Sequence, residues 1–508
     1  MTAFNIPFVP NEFKSLDSMH AVGMNYDDVI KLALERGFYF PSCEIYPDAQ
    51  AGFWEYGPLG VGFKNRFVDL WRRELVRRDG MLEIDGSQIM SKSVFIASGH
   101  LNSFNDPIVK CTRCGSIYRA DRFVTEKIGE NVPERMSDSD MDSLIAEHGL
   151  KCSKCNGNLG KVSRFNMMFK VFIGPNAEEA YLRPETCQTI FVDFPRIFKV
   201  MRGKLPLGIA QVGKSFRNEI APRQSLLRLR EFYQAEIEVF CNPRRLDDLD
   251  KFNEVKNTVL MIYDGKSAQE FTCEETVSKG VIPNRLIAYY LALLSDFYSK
   301  TGIDMKRTRF RKLGDDEKAF YATTAFDFEV ETTTGWLELV ACNYRSDYDL
   351  GGHAKVSKQN MEVLDVDGKV LPHVFELSMG IDRSLYCILE HSLVEDKPND
   401  RSLLKLKPYL APIDVGIFPL VTKDGLAERA RSIFSSIKKN FDAIYDESGS
   451  IGRRYRRLDE SGVPFGVTVD RQTLEDDTIT VRERDSMQQI RIKSTELADY
   501  LVKARTIC

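Results

Sequence analysis

The sequence predicts an α+β fold, an antiparallel sheet flanked by helices and followed by a separate α/β domain, and three observations carry that prediction. Two alternating runs, residues 209–219 and 228–240, are joined by a polar, basic loop, the pattern of a long antiparallel pair. Strand signals recur at 326–331, 335–341 and 373–378, ahead of a helical pattern over 381–391. After Lys407 the rhythm becomes βαβ: a strand at 413–418, a helix at 425–439, a strand at 443–445, a Gly-Ser-Ile-Gly turn, a short basic helix and a strand at 465–469.

The flanking elements follow from the same reasoning. Apolar spacing predicts a helix over 26–36 closed by Gly37, a longer one over 63–78 stopped at Gly80, a strand at 82–85 and a buried helix at 283–299. Between 108 and 164 paired cysteines flank a charged segment, which reads as an insertion. The expected organisation is core 1–107, insertion 108–164, core 165–250, a mainly helical insertion 251–325, core 326–405 and a C-terminal domain 406–508.

At 508 residues the chain exceeds one core and suits roughly three or four domains. With 43% hydrophobic and 28% charged residues it resembles a soluble protein rather than a disordered or fibrous one. The 70 basic and 74 acidic side chains nearly cancel, so a polyanion must be met by local patches. The longest clearly apolar stretch, 286–294, is far short of the roughly 20 residues of a membrane span. Residues 1–14 lack a basic run followed by an apolar block, so no secretory signal is expected. Eleven cysteines, with two CxxC pairs among them, suit a reducing compartment, and a cytoplasmic protein is expected.

Period two on 228–240 places Arg228, Arg230, Phe232, Gln234, Glu236 and Glu238 on one face and Leu229, Tyr233, Ala235, Ile237 and Val239 on the other. Taken alone, such a strand is more often a solvated surface with cross-strand ion pairs. The neighbouring segments change that balance. Arg217 lies in Phe-Arg-Asn-Glu, ahead of a Pro-Arg loop, a layout in which guanidinium groups grip phosphates while a phenyl ring supports a base. Glu376-Leu-Ser-Met-Gly-Ile-Asp-Arg383 runs from a strand through glycine into the first turn of a helix.

These two segments resemble motifs 2 and 3 of class II aminoacyl-tRNA synthetases, and Tyr56-Gly-Pro-Leu-Gly60, the helix after it and Leu82-Glu-Ile-Asp85 resemble motif 1. Arg183-Pro-Glu-Thr186, 216–222, Gly335-Trp-Leu-Glu338, Tyr348-Asp-Leu350 and 449–457 resemble the archaeal and eukaryotic type of glycyl-tRNA synthetase, so the likeness spans nearly the whole chain. The resemblance implies a class II catalytic core, an α/β anticodon-binding domain, and a homodimer built through motif 1. Its implied substrates are ATP with Mg²⁺, glycine and tRNA(Gly). It gives Arg217 the α-phosphate, Arg228 and Arg383 the terminal phosphate, Phe232 and Arg383 the two faces of adenine, Glu219 a place by ATP and the tRNA 3′ end, and Glu338 the ATP or its Mg²⁺. Glu185, Glu236, Glu376 and Ser378 would surround the glycine ammonium group, and Arg345 would face its carboxylate.

The implied chemistry is consistent with these side chains, because a carboxylate nucleophile is already ionised and needs positioning and charge neutralisation rather than a general base. Glycine offers no side chain to grip, so exclusion of larger amino acids must select it, and no editing domain is needed. Three acids in one cleft repel unless a cation joins them, a part that a substrate ammonium group or Mg²⁺ could take. The chain departs from the family pattern at Leu377, at Cys187-Gln-Thr189, at Ala341-Cys-Asn-Tyr344 and at Pro47-Asp48. The nearest enzyme alternative is a relative acting on serine, alanine or proline; the alternative of another class is a catalytically silent nucleic-acid binder.

Cys111-Thr-Arg-Cys114-Gly and Cys152-Ser-Lys-Cys155-Asn-Gly form two knuckles, each followed by residues that tolerate a left-handed turn, and a Cys₄ structural zinc site is the first reading. A redox dithiol and four free thiols are the alternatives. His100 and His353 read as structural or loop histidines. In the C-terminal domain Arg453, Arg454, Arg456 and Arg457 surround Tyr455, which reads either as a solvated basic helix or as a tRNA contact with phosphate binding and base stacking.

Overall fold

The computed structural model describes residues 25–505 apart from 134, 223 and 316, so the expectation for residues 1–14 lies outside the described residues. The first helix, Tyr26–Arg36, begins on a reciprocal cap between Asn25 and Asp28 and ends where Gly37 turns left-handed at φ 71°. The second starts earlier than its apolar spacing suggested, at Pro58, whose fixed φ suits a first helical position, and passes from Pro58–Trp71 into π-helical turns at Arg72–Arg77. The glycines of this motif are steric: a Cβ on Gly60 would lie 1.8 Å from the carbonyl oxygen of Phe38.

A nine-stranded sheet forms the centre, in the order Ala268–Thr272, Val259–Tyr263, Thr308–Lys312, Thr324–Thr332, Gly335–Ser346, His373–Gly380, Glu231–Cys241, Leu207–Phe216, Leu82–Ile84. All neighbours are antiparallel except Val259–Tyr263 with Thr308–Lys312 and Leu207–Phe216 with Leu82–Ile84. One face packs on the helices Pro58–Trp71, Arg285–Ser299 and Ile381–Ser392, with Ile237, Val239, Phe375, Leu377 and Cys342 in that core. Each such fully buried aliphatic or aromatic side chain contributes about 1.5–3 kcal/mol. The opposite face carries the polar residues, and the helix Cys187–Val200 closes its far part through Phe191 and Phe194.

Two expectations change. The strand expected at 228–240 begins only at Glu231, because the Arg230 N–H goes to the Gly52 carbonyl and its guanidinium bonds the carbonyls of Ala51 and Glu219; Arg228 and Arg230 therefore sit in the loop. The segment 251–325, expected as a mainly helical insertion, contributes three strands to the central sheet beside its buried helix Arg285–Ser299. Within 108–164 the helices Ala120–Ile128 and Asp138–Glu147 pack on a small sheet with a core of their own, including Val109, Phe123, Val124 and Met141.

The C-terminal region is a five-stranded sheet, Ala443–Tyr445, Val415–Pro419, Phe465–Val469, Thr478–Glu483, Gln489–Lys493, the first three parallel. Charged links tie it to the centre. Arg66 of the second helix bonds Asp414 at 2.8 Å and Asp442 at 2.6 Å, and Arg36 pairs with Glu460. Arg401, on the hairpin after the helix Ile381–Ser392, meets Asp459 at 2.7 Å, and Arg482 meets the same carboxylate at 2.9 Å. Among the described residues no helix is long and apolar enough to cross a membrane.

Candidate active site

Strand register builds the site. Gln211 stands opposite Glu236, Glu236 opposite Ser378 and Ser378 opposite Ala341; two residues along, Glu238 faces Glu376 and Glu376 faces Asn343. Above this row lies a cavity of about 350 Å³ whose walls include Arg217, Glu219, Arg228, Phe232, Glu338 and Arg383 together with Glu185, Glu376 and Ser378. Residues separated by up to 198 positions in the chain are thus gathered on one rigid surface.

At one end of the cavity the groups are cationic and aromatic. Arg217 is anchored by its Nε to the Pro184 carbonyl at 3.0 Å, and its guanidinium lies 5.2 Å from the Phe232 ring and 5.5 Å from that of Phe104. Arg228 is held by Glu219 at 2.7 Å. Arg383 reaches the carbonyls of Leu227 at 3.2 Å and Glu338 at 3.1 Å, with the Glu338 carboxylate 3.7 Å away. Behind Arg383, Asp382 accepts from the Tyr56 hydroxyl and from the Tyr233 N–H at 2.6 Å, and burial pushes its carboxyl up to about 6. Motif 1 thereby supports motif 3 from below.

At the other end three carboxyl groups meet in different states. Burial pushes Glu376 up to about 8, against the pull of Arg345, and the neighbouring charges of Glu185 and Glu236 add to the rise. Its oxygens accept from Arg345 at 2.8 Å and from Asn343 at 2.7 Å. Glu236 is raised by burial and by Glu185, while bonds from Ser378 and Thr186, both 2.6 Å, oppose the rise. Glu185 goes the other way: although burial works against ionisation, the charge and hydrogen bond of His100 and the charge of Arg345 hold it well below the usual carboxylate range. Glu238, whose oxygens have no partner among the described residues, is pushed well above that range by burial and by Glu376.

Two of the residues expected around an amino acid do not reach the cavity wall. Glu236 is fully buried behind Ser378 and Gln234. Arg345, expected to face a substrate carboxylate, is 1% exposed, bidentate to Asp349 at 2.6 and 2.7 Å, and covered by the Tyr321 ring 3.7 Å from its guanidinium. It braces Glu376 from behind the wall. The histidines set aside as structural belong here as well: His100 reaches Glu185 and His353 reaches Gln188. Nothing in the sequence marked them, although Gln188, three positions after Glu185 on a helix start, was a usable signal.

A second, larger cavity of about 1080 Å³ opens from the first, sharing Glu185, Arg217 and Tyr321 and running against the insertion past Arg119, Arg122 and Arg135. Burial lowers the Arg122 pKa, and the charges of Arg228 and Arg119 lower it further. Arg119 there is paired with Asp121 at 2.9 Å and Asp106 at 3.3 Å, so acidic and basic groups share this wall.

Comparison with known proteins agrees with this geometry. Residues 169–392 match the tRNA synthetase class II core domain (G, H, P, S and T), and residues 414–504 match an anticodon binding domain. Glycine–tRNA ligases of Methanothrix thermoacetophila, Methanocaldococcus jannaschii and Pyrococcus horikoshii are 40%, 38% and 38% identical to this chain, over 94%, 94% and 93% of it and 96%, 98% and 97% of their own lengths. The chain belongs to the glycine–tRNA ligase family. Its core-domain match includes the motif 2 and motif 3 strands, and the anticodon-domain match begins at Asp414, one of the carboxylates bound by Arg66.

Outside the family core, the four insertion cysteines converge. The sulfurs of Cys111, Cys114, Cys152 and Cys155 lie within 4.8 Å of one another, with Cys111 to Cys155 at 3.5 Å and Cys114 to Cys152 at 3.6 Å. Gly115 and Asn156 are left-handed, at φ 73° and 56°, and the Arg113 N–H points at the Cys111 sulfur at 3.4 Å. The Tyr118 hydroxyl, 3.1 Å from Cys152, brings that thiol down to about 6. Four sulfurs about 3.8 Å apart are what a tetrahedron with 2.3 Å metal–sulfur bonds requires, so the cluster fits a metal ion.

On the arginine helix of this ligase-family chain, Ile451–Glu460, two of the four arginines expected at tRNA, Arg454 and Arg457, are taken up by the protein itself. Arg454 is 3% exposed, and its guanidinium is consumed by the carbonyls of Glu447, Gly449 and Pro419. Arg457 is held by Asp446, and Tyr455 packs against Phe418 with its hydroxyl on Thr468 at 2.7 Å, so the ring offers no stacking face. Arg453 and Arg456 remain on the surface, Arg456 near Asp400 at 3.1 Å.

Proposed function

We propose that the protein charges tRNA(Gly) with glycine. A glycine carboxylate oxygen attacks the α-phosphorus of ATP, pyrophosphate leaves, and the terminal adenosine ribose of the tRNA then takes the glycyl group and releases AMP. The single observation that carries this reading is the one cavity that joins an arginine and phenyl end to a carboxylate end.

Arg217, fixed by Pro184, neutralises charge at the α-phosphate; Arg228 and Arg383 take the terminal phosphate; Phe232 and Arg383 hold adenine between them; Glu219 fixes Arg228 beside the tRNA 3′ end. Mg²⁺, when bound, offsets phosphate charge. Glu338 fits it as an oxygen ligand, its side chain half exposed at the cavity edge. The ammonium group sits against Glu185, Glu376 and Ser378, with Glu236 and Arg345 shaping the wall from behind. Glycine has no side chain to grip, so selection by this wall works through exclusion of larger amino acids. The arginine-lined cleft beside Arg122 suits the phosphates of the acceptor end, while Arg453 and Arg456 are the remaining candidates for contact in the anticodon domain. A homodimer through motif 1 and a cytoplasmic location complete the reading.

Amino-acid-dependent ATP–pyrophosphate exchange tests it. Glycine supports exchange, and alanine, serine and proline do not; exchange with one of those three would instead mean that the departures beside Glu376 and Arg345, at Leu377 and Ala341–Tyr344, changed specificity, and no exchange would favour the silent nucleic-acid binder. The cysteine cluster is proposed as a structural zinc site, expected to hold about one Zn²⁺ per chain by metal analysis. A metal-free preparation that is fully folded and active would remove zinc from the proposal.

A further inference from the structure

The nitrogen donors around Glu185 all converge on one of its oxygens. Oε1 lies 2.7 Å from Gln188 Nε2, 3.4 Å from His100 Nε2 and 3.9 Å from an Arg345 terminal nitrogen. Oε2 has no nitrogen donor among the described residues, the Cys187 thiol being the further hydrogen-bond partner of the carboxylate, and Glu185 lines the cavity. A carboxylate gripped through one oxygen presents the other in a fixed direction.

The grips are themselves held. His100 is 3% exposed, its Nδ1 is 2.8 Å from the Ser98 hydroxyl, and its ring sits edge-on to Phe95 and Phe104. Gln188 is fully buried, and its Oε1 faces His353 Nε2 at 3.2 Å, a geometry in which a neutral imidazole carrying its proton on Nε2 donates. That bond fixes which end of the Gln188 amide points at Glu185. Glu376 and Glu236 differ: both oxygens of each already accept hydrogen bonds from protein groups.

We infer that His100 and Gln188, backed by Ser98 and His353, are positioning residues that aim the open oxygen of Glu185 at the ammonium group of the amino acid. The inference rests on the proposed reading of this cavity as a glycine site. Glu185 then makes the ionic contact through its open oxygen, with Glu376 and Ser378 beside it and Glu236 behind the wall.

Steady-state exchange kinetics on the full chain test this. Glycine-dependent exchange by the wild type establishes the glycine site independently; its absence would sink that reading before any variant is compared. Given that activity, His100→Leu and Gln188→Leu are each expected to raise KM for glycine about 10- to 100-fold, the effect of removing a hydrogen bond to a charged group. KM for ATP should stay within about twofold, showing the nucleotide end to be intact, and the double variant should be less than multiplicative because both act on one oxygen. His100→Gln, whose amide nitrogen can occupy the place of Nε2, should recover most of the glycine affinity. Equal rises in both KM values, or a His100→Gln variant no better than His100→Leu, would overturn the inference. Should His100→Leu fail to fold, Gln188→Leu and His100→Gln decide the matter by the same two KM values.

Discussion

On the strands Glu231–Cys241 and His373–Gly380, residues two apart share a face, so Phe232, Gln234, Glu376 and Ser378 reach one cavity. On the helix Ile451–Glu460 four arginines within five positions point in different directions, Arg454 into the interior, Arg457 to Asp446 and Arg456 to Asp400 on the surface. The difference is geometric. A strand's period of two sorts neighbours onto two faces, whereas a step of about 100° per residue spreads a cluster round a helix. Alternating residues in sequence therefore stay together on the sheet, whereas on this helix only Arg453 and Arg456 are left facing solvent without burial or a tight ion pair.

The contrast can be broken by substitution. Arg217→Ala, on the sheet side, should reduce glycine-dependent exchange by about 10³-fold, as loss of a fixed group facing transition-state charge does. It should leave tRNA binding nearly unchanged; the reverse pattern would remove Arg217 from the phosphate site. Arg454→Ala, on the helix side, should lower C-terminal stability by about 3 kcal/mol, because several buried carbonyls lose their donor. Thermal unfolding would show it, and an unaltered transition with impaired tRNA binding would restore Arg454 as an RNA contact.

Acidity sharpens the comparison next. With Glu376 pushed up to about 8, a proton must leave the pocket before an ammonium group is fully matched. The kcat/KM for glycine should thus rise with pH, about tenfold per unit well below 8 and flattening above it, while KM for ATP stays level. A glycine profile flat from pH 6 to 8 would show Glu376 already ionised. The smallest effect is expected at Arg453→Ala: stability within about 0.5 kcal/mol of wild type, and a salt slope of tRNA binding shallower by about one. No change in that slope would leave Arg453 as a solvated side chain.

What the sequence makes legible follows the same geometry. The helix Tyr26–Arg36, with its cap and terminal glycine, and the strands Ala443–Tyr445 and Phe465–Val469 were readable to the residue, since period and stop signals coincide there. The strands Ala268–Thr272 and Val259–Tyr263 were not, being five residues each at the sheet edge and next to a strongly apolar helix. Arg345 shows the limit on the site side: the family resemblance placed it at a substrate carboxylate, but Asp349, four residues on in the helix that follows its strand, takes its guanidinium. His100 and His353 were invisible because their role depends on two segments packed against Gln188 and Glu185 from elsewhere in the chain.

The charged links between the centre and the C-terminal sheet have a mechanical meaning. Arg66 spans two carboxylates, and Asp459 is shared by Arg401 and Arg482, all with buried or nearly buried partners on at least one side. Stripping one partner from such a group leaves an uncompensated buried charge, so the joint resists being opened. The two domains then act as a caliper with a locked jaw: a long ligand that touches both must bring the right span, or supply the bending itself.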